Sequence, residues 1–194
     1  MAADTDTYPV SFDIEYVAQH DRLTSFFRLI WCIPILVVLC ALSSGEGAGI
    51  AGAIALMIIF RQRYPRWWFD FSLELMRFET RVFTYLFLLT DRYPSTVEKQ
   101  VLRLDITYPN AQKDLNRWLP IVKWLLAIPH YIVLAFLFAG VVFATIFAWF
   151  AILFTGSYPK GIFDYVVGVM RWGTRVNAYA FLLATDKYPP FSLS

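Results

Sequence analysis

Hydrophobic positions along this chain gather into blocks instead of alternating with charge. Four blocks can be drawn: Phe26–Leu42, Ala48–Phe60, Leu119–Phe138 and Val141–Phe154. A membrane helix needs about 20 residues, with about 17 as a working lower limit, so the second and fourth blocks are short unless they borrow flanking residues. Ser43-Ser44-Gly45-Glu46-Gly47 joins the first two, and little more than Ala139-Gly140 joins the last two. The pattern therefore predicts two tight helical hairpins, over residues 26–60 and 119–155. A single long helix through Gly140 is the alternative, and the turn at the matching place in the first pair argues against it.

Outside the blocks the periodicity changes. Val10-Ser11-Phe12-Asp13-Ile14-Glu15-Tyr16 alternates apolar and polar, and Leu102-Arg103-Leu104-Asp105-Ile106-Thr107-Tyr108 does the same in register. Both read as half-buried strands, over residues 10–16 and 101–108. Two strands alone are marginal in water, so they are expected to pair with each other or to lie against cytoplasmic helices. After each hairpin a Tyr-Pro opens a third segment, residues 66–89 and 160–183, with proline suited to a first helical turn. Asp70, Glu74, Arg77 and Arg81 fall on one stripe of the first; Asp164, Arg171 and Arg175 repeat it in the second, with Gly168 in place of Glu74. Each such charge at the bilayer centre costs about 2.5–3.5 kcal/mol on insertion scales. These segments are therefore expected as amphipathic helices along the cytoplasmic interface, apolar face down.

The elements come in the same order twice. Met76-Arg77-Phe78-Glu79-Thr80-Arg81-Val82 returns as Met170-Arg171-Trp172-Gly173-Thr174-Arg175-Val176, and Thr90-Asp91-Arg92-Tyr93-Pro94 returns as Thr185-Asp186-Lys187-Tyr188-Pro189. Tyr64-Pro65 and Phe69-Asp70 recur as Tyr158-Pro159 and Phe163-Asp164. A repeat in sequence implies a repeated structural unit. Repeat 1 is residues 1–95 and repeat 2 residues 96–194. The fold class expected is mainly α and membrane-embedded: two parallel-oriented repeats, each a short cytoplasmic β-strand, a transmembrane helical hairpin and an amphipathic interfacial helix.

Composition supports the class. The apolar fraction is 58% and the mean hydropathy +0.52, above the roughly 45–50% apolar content of a soluble domain. The first residues are acidic and polar and lack the pattern of a removable signal peptide. Cys32 and Cys40, in one block, read as small apolar residues and not as a disulfide or metal pair. A net charge of +2 gives no case for nucleic acid. Its distribution matters more: if both hairpins enter and leave on one side, all 17 Lys and Arg lie on that side. The positive-inside bias then places both termini in the cytoplasm and relates the repeats by an axis along the membrane normal, whereas inverted repeats would need the opposite. Tyr-Pro corners and Trp67, Trp68, Trp118, Trp124 and Trp172 suit an aromatic belt at that surface.

Several residues are candidates for chemistry. Arg28 and Lys123 occupy equivalent positions just inside the apolar blocks, and read first as snorkelling cations and second as a paired site for lipid phosphate. Pro34 and Pro129, also equivalent, are expected to kink their helices. Arg77, Arg81, Arg171 and Arg175 read first as a solvated, ion-paired or inter-repeat stripe, and second as twin cradles for anionic headgroups, because guanidinium forks match phosphate oxygens. Asp70 and Asp164, with the intramembrane His130, are the residues an ion or proton path would use; the twin of His130 is Ile35, so it stands outside the repeated plan. No metal motif, phosphate loop or nucleophile elbow is legible. The sequence thus argues against an enzyme and requires no cofactor.

The duplicated order of proline-bearing hairpin, Tyr-Pro, Phe-Asp, Met-Arg-aromatic-x-Thr-Arg and Thr-Asp-basic-Tyr-Pro resembles a family of small bacterial integral membrane proteins classed as a domain of unknown function. The resemblance covers about residues 8 to 191 and implies a bacterial inner-membrane location and an accessory role. The expected function is a non-enzymatic accessory or scaffold protein that binds anionic lipid, or a larger membrane complex or a second copy of itself, through a basic cytoplasmic face. A small oligomeric channel or transporter using His130 with Asp70 or Asp164 is the alternative, and a lipid-modifying enzyme comes third.

Overall fold

A computed structural model of the chain describes residues 8–43, 47–95 and 102–194. The expected turn at Ser44–Glu46 and the start of the second strand at Val101 lie outside the described residues. The chain is mainly helical. Strand β1 spans Val10–Ile14 and is followed by α1 (Arg22–Phe26), α2 (Arg28–Ser43), α3 (Gly47–Arg61) and α4 (Arg66–Leu86). The second copy runs β2 (Leu102–Ile106), α5 (Leu119–Leu126), α6 (Ile128–Thr155) and α7 (Lys160–Ala180). Proline opens the turn before α4 and α7 as the sequence suggests, with Pro65 and Pro159 extended at the N-caps. Pro129 falls in the first turn of α6, where its missing N–H is no loss, while Pro34 sits inside α2.

The second hairpin does not exist. Residues 128–155 form one helix of 28 residues, about 42 Å long at 1.5 Å per residue, and it runs straight through Ala139-Gly140. Gly140 is there for space and not for a turn: a Cβ at this position would overlap the hydroxyl of Tyr165 on α7. That hydroxyl donates to the Leu137 carbonyl at 2.9 Å, so glycine lets a tyrosine lie against the helix backbone. The continuous helical stretch Leu119–Thr155 is long and apolar enough to cross a membrane, with only 17% of its most apolar window buried in the protein. By contrast α2 and α3, of 16 and 15 residues, reach only about 24 and 22 Å.

The third helices also differ from expectation. The apolar face of α7 is covered by α6 and β1, and that of α4 by α2 and β2. Phe163, Val166, Met170, Trp172 and Tyr179 are all buried. Their apolar faces find protein partners instead of lipid. Helix α7 packs on α6 through Tyr165 against Leu137 and Gly140, Gly173 against Phe138 and Trp172 against His130.

The strands pair antiparallel, with Phe12 opposite Leu104, Val10 opposite Ile106 and Ile14 opposite Leu102. Phe12 and Leu104 are equivalent positions of the two copies. An antiparallel pair centred on equivalent residues places a local two-fold axis between them. The helices obey the same axis, since α1 packs on α6 while its twin α5 packs on α3. Each copy's leading helix thus lies against the other copy's long apolar segment. Along the axis the molecule has three layers: the sheet, then α4 and α7, then the long apolar helices.

Candidate functional site

The repeated polar landmarks assemble at the contacts between copies and at the ends of the third helices. Leu88 and Leu183, each two residues before a repeated Thr-Asp, both have left-handed backbones (φ 63° and 54°) and are buried. A non-glycine residue there costs of order 1–3 kcal/mol and persists where packing fixes it. The reversal carries Thr90-Asp91 and Thr185-Asp186 back over the helix ends.

There they meet the buried cations. Arg28, 2% exposed, donates through Nη1 to the Thr90 carbonyl at 2.6 Å, pairs through Nη2 with Asp91 and lies 4.1 Å from the Tyr85 ring centroid. Lys123, 0% exposed, donates to the Thr185 carbonyl at 2.7 Å, pairs with Asp186 at 2.8 Å and lies 5.1 Å from Tyr179. The other carboxylate oxygens accept the main-chain N–H groups of Asp21 at 2.9 Å and Asn116 at 2.5 Å. Each copy thus builds the same cation lock. His20 adds a further contact to Asp91 at 3.0 Å in the first copy only, where Leu115 stands in the second. Burial alone would raise the Asp91 carboxyl, but the hydrogen bonds from His20 and the Asp21 amide, with the His20 and Arg28 charges, hold it below the ordinary value. Arg28 and Lys123 are neither snorkelling nor open to a phosphate, because their acids lie within the same copy.

The arginine stripe ties one copy to the other. Arg77 Nε donates to the Leu104 carbonyl at 2.8 Å, and Arg171 Nε to the Phe12 carbonyl at 3.1 Å. Each arginine reaches the strand of the opposite copy at the residue on the two-fold axis. Arg77 also pairs with Glu74 and Asp105, both at 2.5 Å; Arg171 instead donates to the Leu193 carbonyl at 3.0 Å. Arg81 donates to the Ser95 carbonyl at 2.8 Å. Arg175 is half-buried, and its carbonyl accepts a hydrogen bond from Tyr8 at 3.3 Å.

The proposed polar path does not assemble. Asp70 is exposed and faces Arg66 at 3.7 Å, and Asp164 is exposed on α7. His130 is 0% exposed, accepts from Trp172 Nε1 at 3.1 Å and stacks on Phe191 with centroids 4.0 Å apart. Eight helical residues, about 12 Å of rise, separate Asp164 from Trp172. An apolar cavity of about 450 Å³ lies between α4, α6 and α7 and includes Glu79, whose carboxyl burial pushes up against the lowering effect of a Ser43 hydrogen bond.

One place breaks the symmetry. Where α6 ends, the junction is closed: the His20 N–H donates to the Gly156 carbonyl and the Tyr158 N–H to the Ala18 carbonyl, both at 3.0 Å, while Tyr16 donates to the Tyr158 carbonyl at 2.6 Å. Where α3 ends, the twin tyrosine bond survives, Tyr108 to the Tyr64 carbonyl at 2.5 Å. Beside it, however, an open cleft of about 650 Å³ is lined by Arg61, Gln62, Arg63, Tyr108, Asn110 and Asp114, among others. Arg61 and Arg63 are exposed and form no ion pair among the described residues. Their twins, Thr155 and Ser157, carry no charge, and the sequence reading passed them over because it sought what the copies share.

A family model described as Domain of unknown function (DUF4389) matches the chain twice, over residues 22–98 and 118–192. No curated protein and no solved structure matches it.

Proposed function

This chain belongs to that family, and with no activity to carry over from it we propose that the protein is a non-enzymatic membrane accessory or scaffold that holds anionic lipid at its basic face. Its place is the cytoplasmic side of a bacterial inner membrane. The observation that supports this reading is the cleft at the end of α3, where Arg61 and Arg63 are exposed and form no ion pair among the described residues, with Asp114 on the same lining, while the repeated cations Arg28 and Lys123 are buried against Asp91 and Asp186. Beside it, the outward faces of α2, α5 and α6 present Leu29, Ile33, Val37, Leu125, Phe136, Phe143, Phe147 and Phe154 uncovered. Apolar surface of this extent calls for lipid or a partner, and guanidinium groups at its rim suit phosphate oxygens.

The test is mass spectrometry of the protein released intact from vesicles of phosphatidylglycerol and phosphatidylethanolamine in equal amounts. The wild type should retain phosphatidylglycerol preferentially. At about 1 kcal/mol per arginine near a membrane surface, Arg61→Gln with Arg63→Gln should weaken that retention about 30-fold. Arg77→Gln with Arg171→Gln should leave it unchanged. Equal retention of both lipids by the wild type would overturn the reading and favour a protein partner for the basic face.

A further inference from the structure

The local two-fold axis fixes how the molecule sits in a bilayer. The leading helix of copy 1 lies against the C-terminal end of α6 in copy 2, through Ser25 and Trp149 (3.0 Å) and through His20 and Gly156 (3.0 Å). The leading helix of copy 2 lies against α3 of copy 1, through α5 on α3 and Tyr108 on Tyr64 just past its end. The axis exchanges these two clusters, so the line joining them is perpendicular to it. Helix α6 runs along that line, beginning beside α5 and ending at Gly156.

Suppose α6 crossed the membrane along its normal. The axis would then lie in the bilayer plane at mid-depth, and the sheet, which sits on the axis at Phe12 and Leu104, would lie at mid-depth too. Its outer face exposes Ser11, Asp13, Arg103 and Asp105. A two-stranded sheet with open edges and four polar side chains is not tolerated in hydrocarbon, where every unpaired backbone group costs several kcal/mol.

We infer that the long helices lie in the plane of one leaflet, with the two-fold axis along the membrane normal and the sheet in water. This rests on the membrane reading above and goes beyond it: the protein enters one leaflet and crosses neither hairpin-wise nor straight. The layers then stack from polar to apolar along the axis. Helix α6 buries a narrow stripe of Leu134, Val141, Ala148 and Ile152 against the protein and exposes apolar side chains over the rest of its circumference, from Val133 through Phe136, Phe143 and Phe147 to Phe138 and Val142, so acyl chains would surround most of it. Cations flank the α5–α6 stretch, Lys113 and Arg117 ahead of α5 and Lys160 after α6, and in this placement they meet the negative potential of one leaflet.

Two readouts on the full chain test this, in a Cys40→Ala background that retains the buried Cys32. With Lys113→Cys and Lys160→Cys introduced singly, a membrane-impermeant maleimide should label both in inverted membrane vesicles and neither in intact cells. Labelling from opposite sides would overturn the inference. Nitroxides at Phe136→Cys, Phe143→Cys and Phe154→Cys should report one shared depth from their relative exposure to oxygen and a water-soluble nickel complex. A depth that rises and falls, or that changes steadily along the helix, would also overturn it. A loss of lipid preference without a change in labelling would defeat the functional reading alone.

Discussion

Removing the carboxylate of Asp91 leaves the Arg28 guanidinium buried without its acid. Breaking a buried ion pair from one side costs about 3–5 kcal/mol, so Asp91→Ala should lower the melting temperature sharply, and Asp186→Ala should do the same through Lys123. A double-mutant cycle with Arg28→Met checks this: adding it to Asp91→Ala should recover part of the loss, whereas additive losses would deny the pair. The sign of the pH dependence follows from the lowered Asp91 carboxyl. Its contribution is fully present above the unfolded value of about 4 and is lost as pH falls through the lower folded value. Melting followed from neutral pH into acid should show this loss in the wild type and less of it in Asp91→Asn. The two acids were visible in the sequence as twin Thr-Asp-basic-Tyr-Pro motifs, but they looked like chain corners. Arg28 and Lys123 were picked out by position, and their partners were not, because pairing over more than 60 residues of separation leaves no local periodicity.

The elements were largely legible where periodicity is local. Strand alternation, Tyr-Pro helix starts and the amphipathic stripe all come from neighbours along one chain, and all appear where expected, apart from the last residues of each strand. Gly140 shows the limit, since glycine signals both a turn and a close approach, and only the position of Tyr165 decides between them. Gly140→Ala should therefore destabilise by roughly 1–3 kcal/mol, as overpacking does, and Tyr165→Phe should recover much of that by removing the clashing hydroxyl. Gly161→Ala, with nothing within 4 Å of its Cβ position, should be neutral or stabilising by up to about 1 kcal/mol. Denaturant titration of the single and double variants measures both. The exchange of α1 and α5 between copies was not legible at all: two copies with the same faces can pack within or across, and sequence cannot say which.

At the scale of the whole molecule the duplication is a two-fold arrangement in which Arg77 and Arg171 each hold the other copy's strand. The symmetric Arg77 and Arg171 serve that assembly, while the asymmetric Arg61 and Arg63 line the open cleft at the end of α3. The same axis ties the polar sheet to one side of a membrane and the phenylalanine-rich helices to the other. In this placement the long helices α2, α3 and α6 share one orientation relative to the bilayer. Oriented circular dichroism of the full chain in aligned bilayers measures that orientation directly. The account predicts the strong negative band near 208 nm that marks helices lying in the bilayer plane; suppression of that band, the signature of helices along the normal, would contradict it.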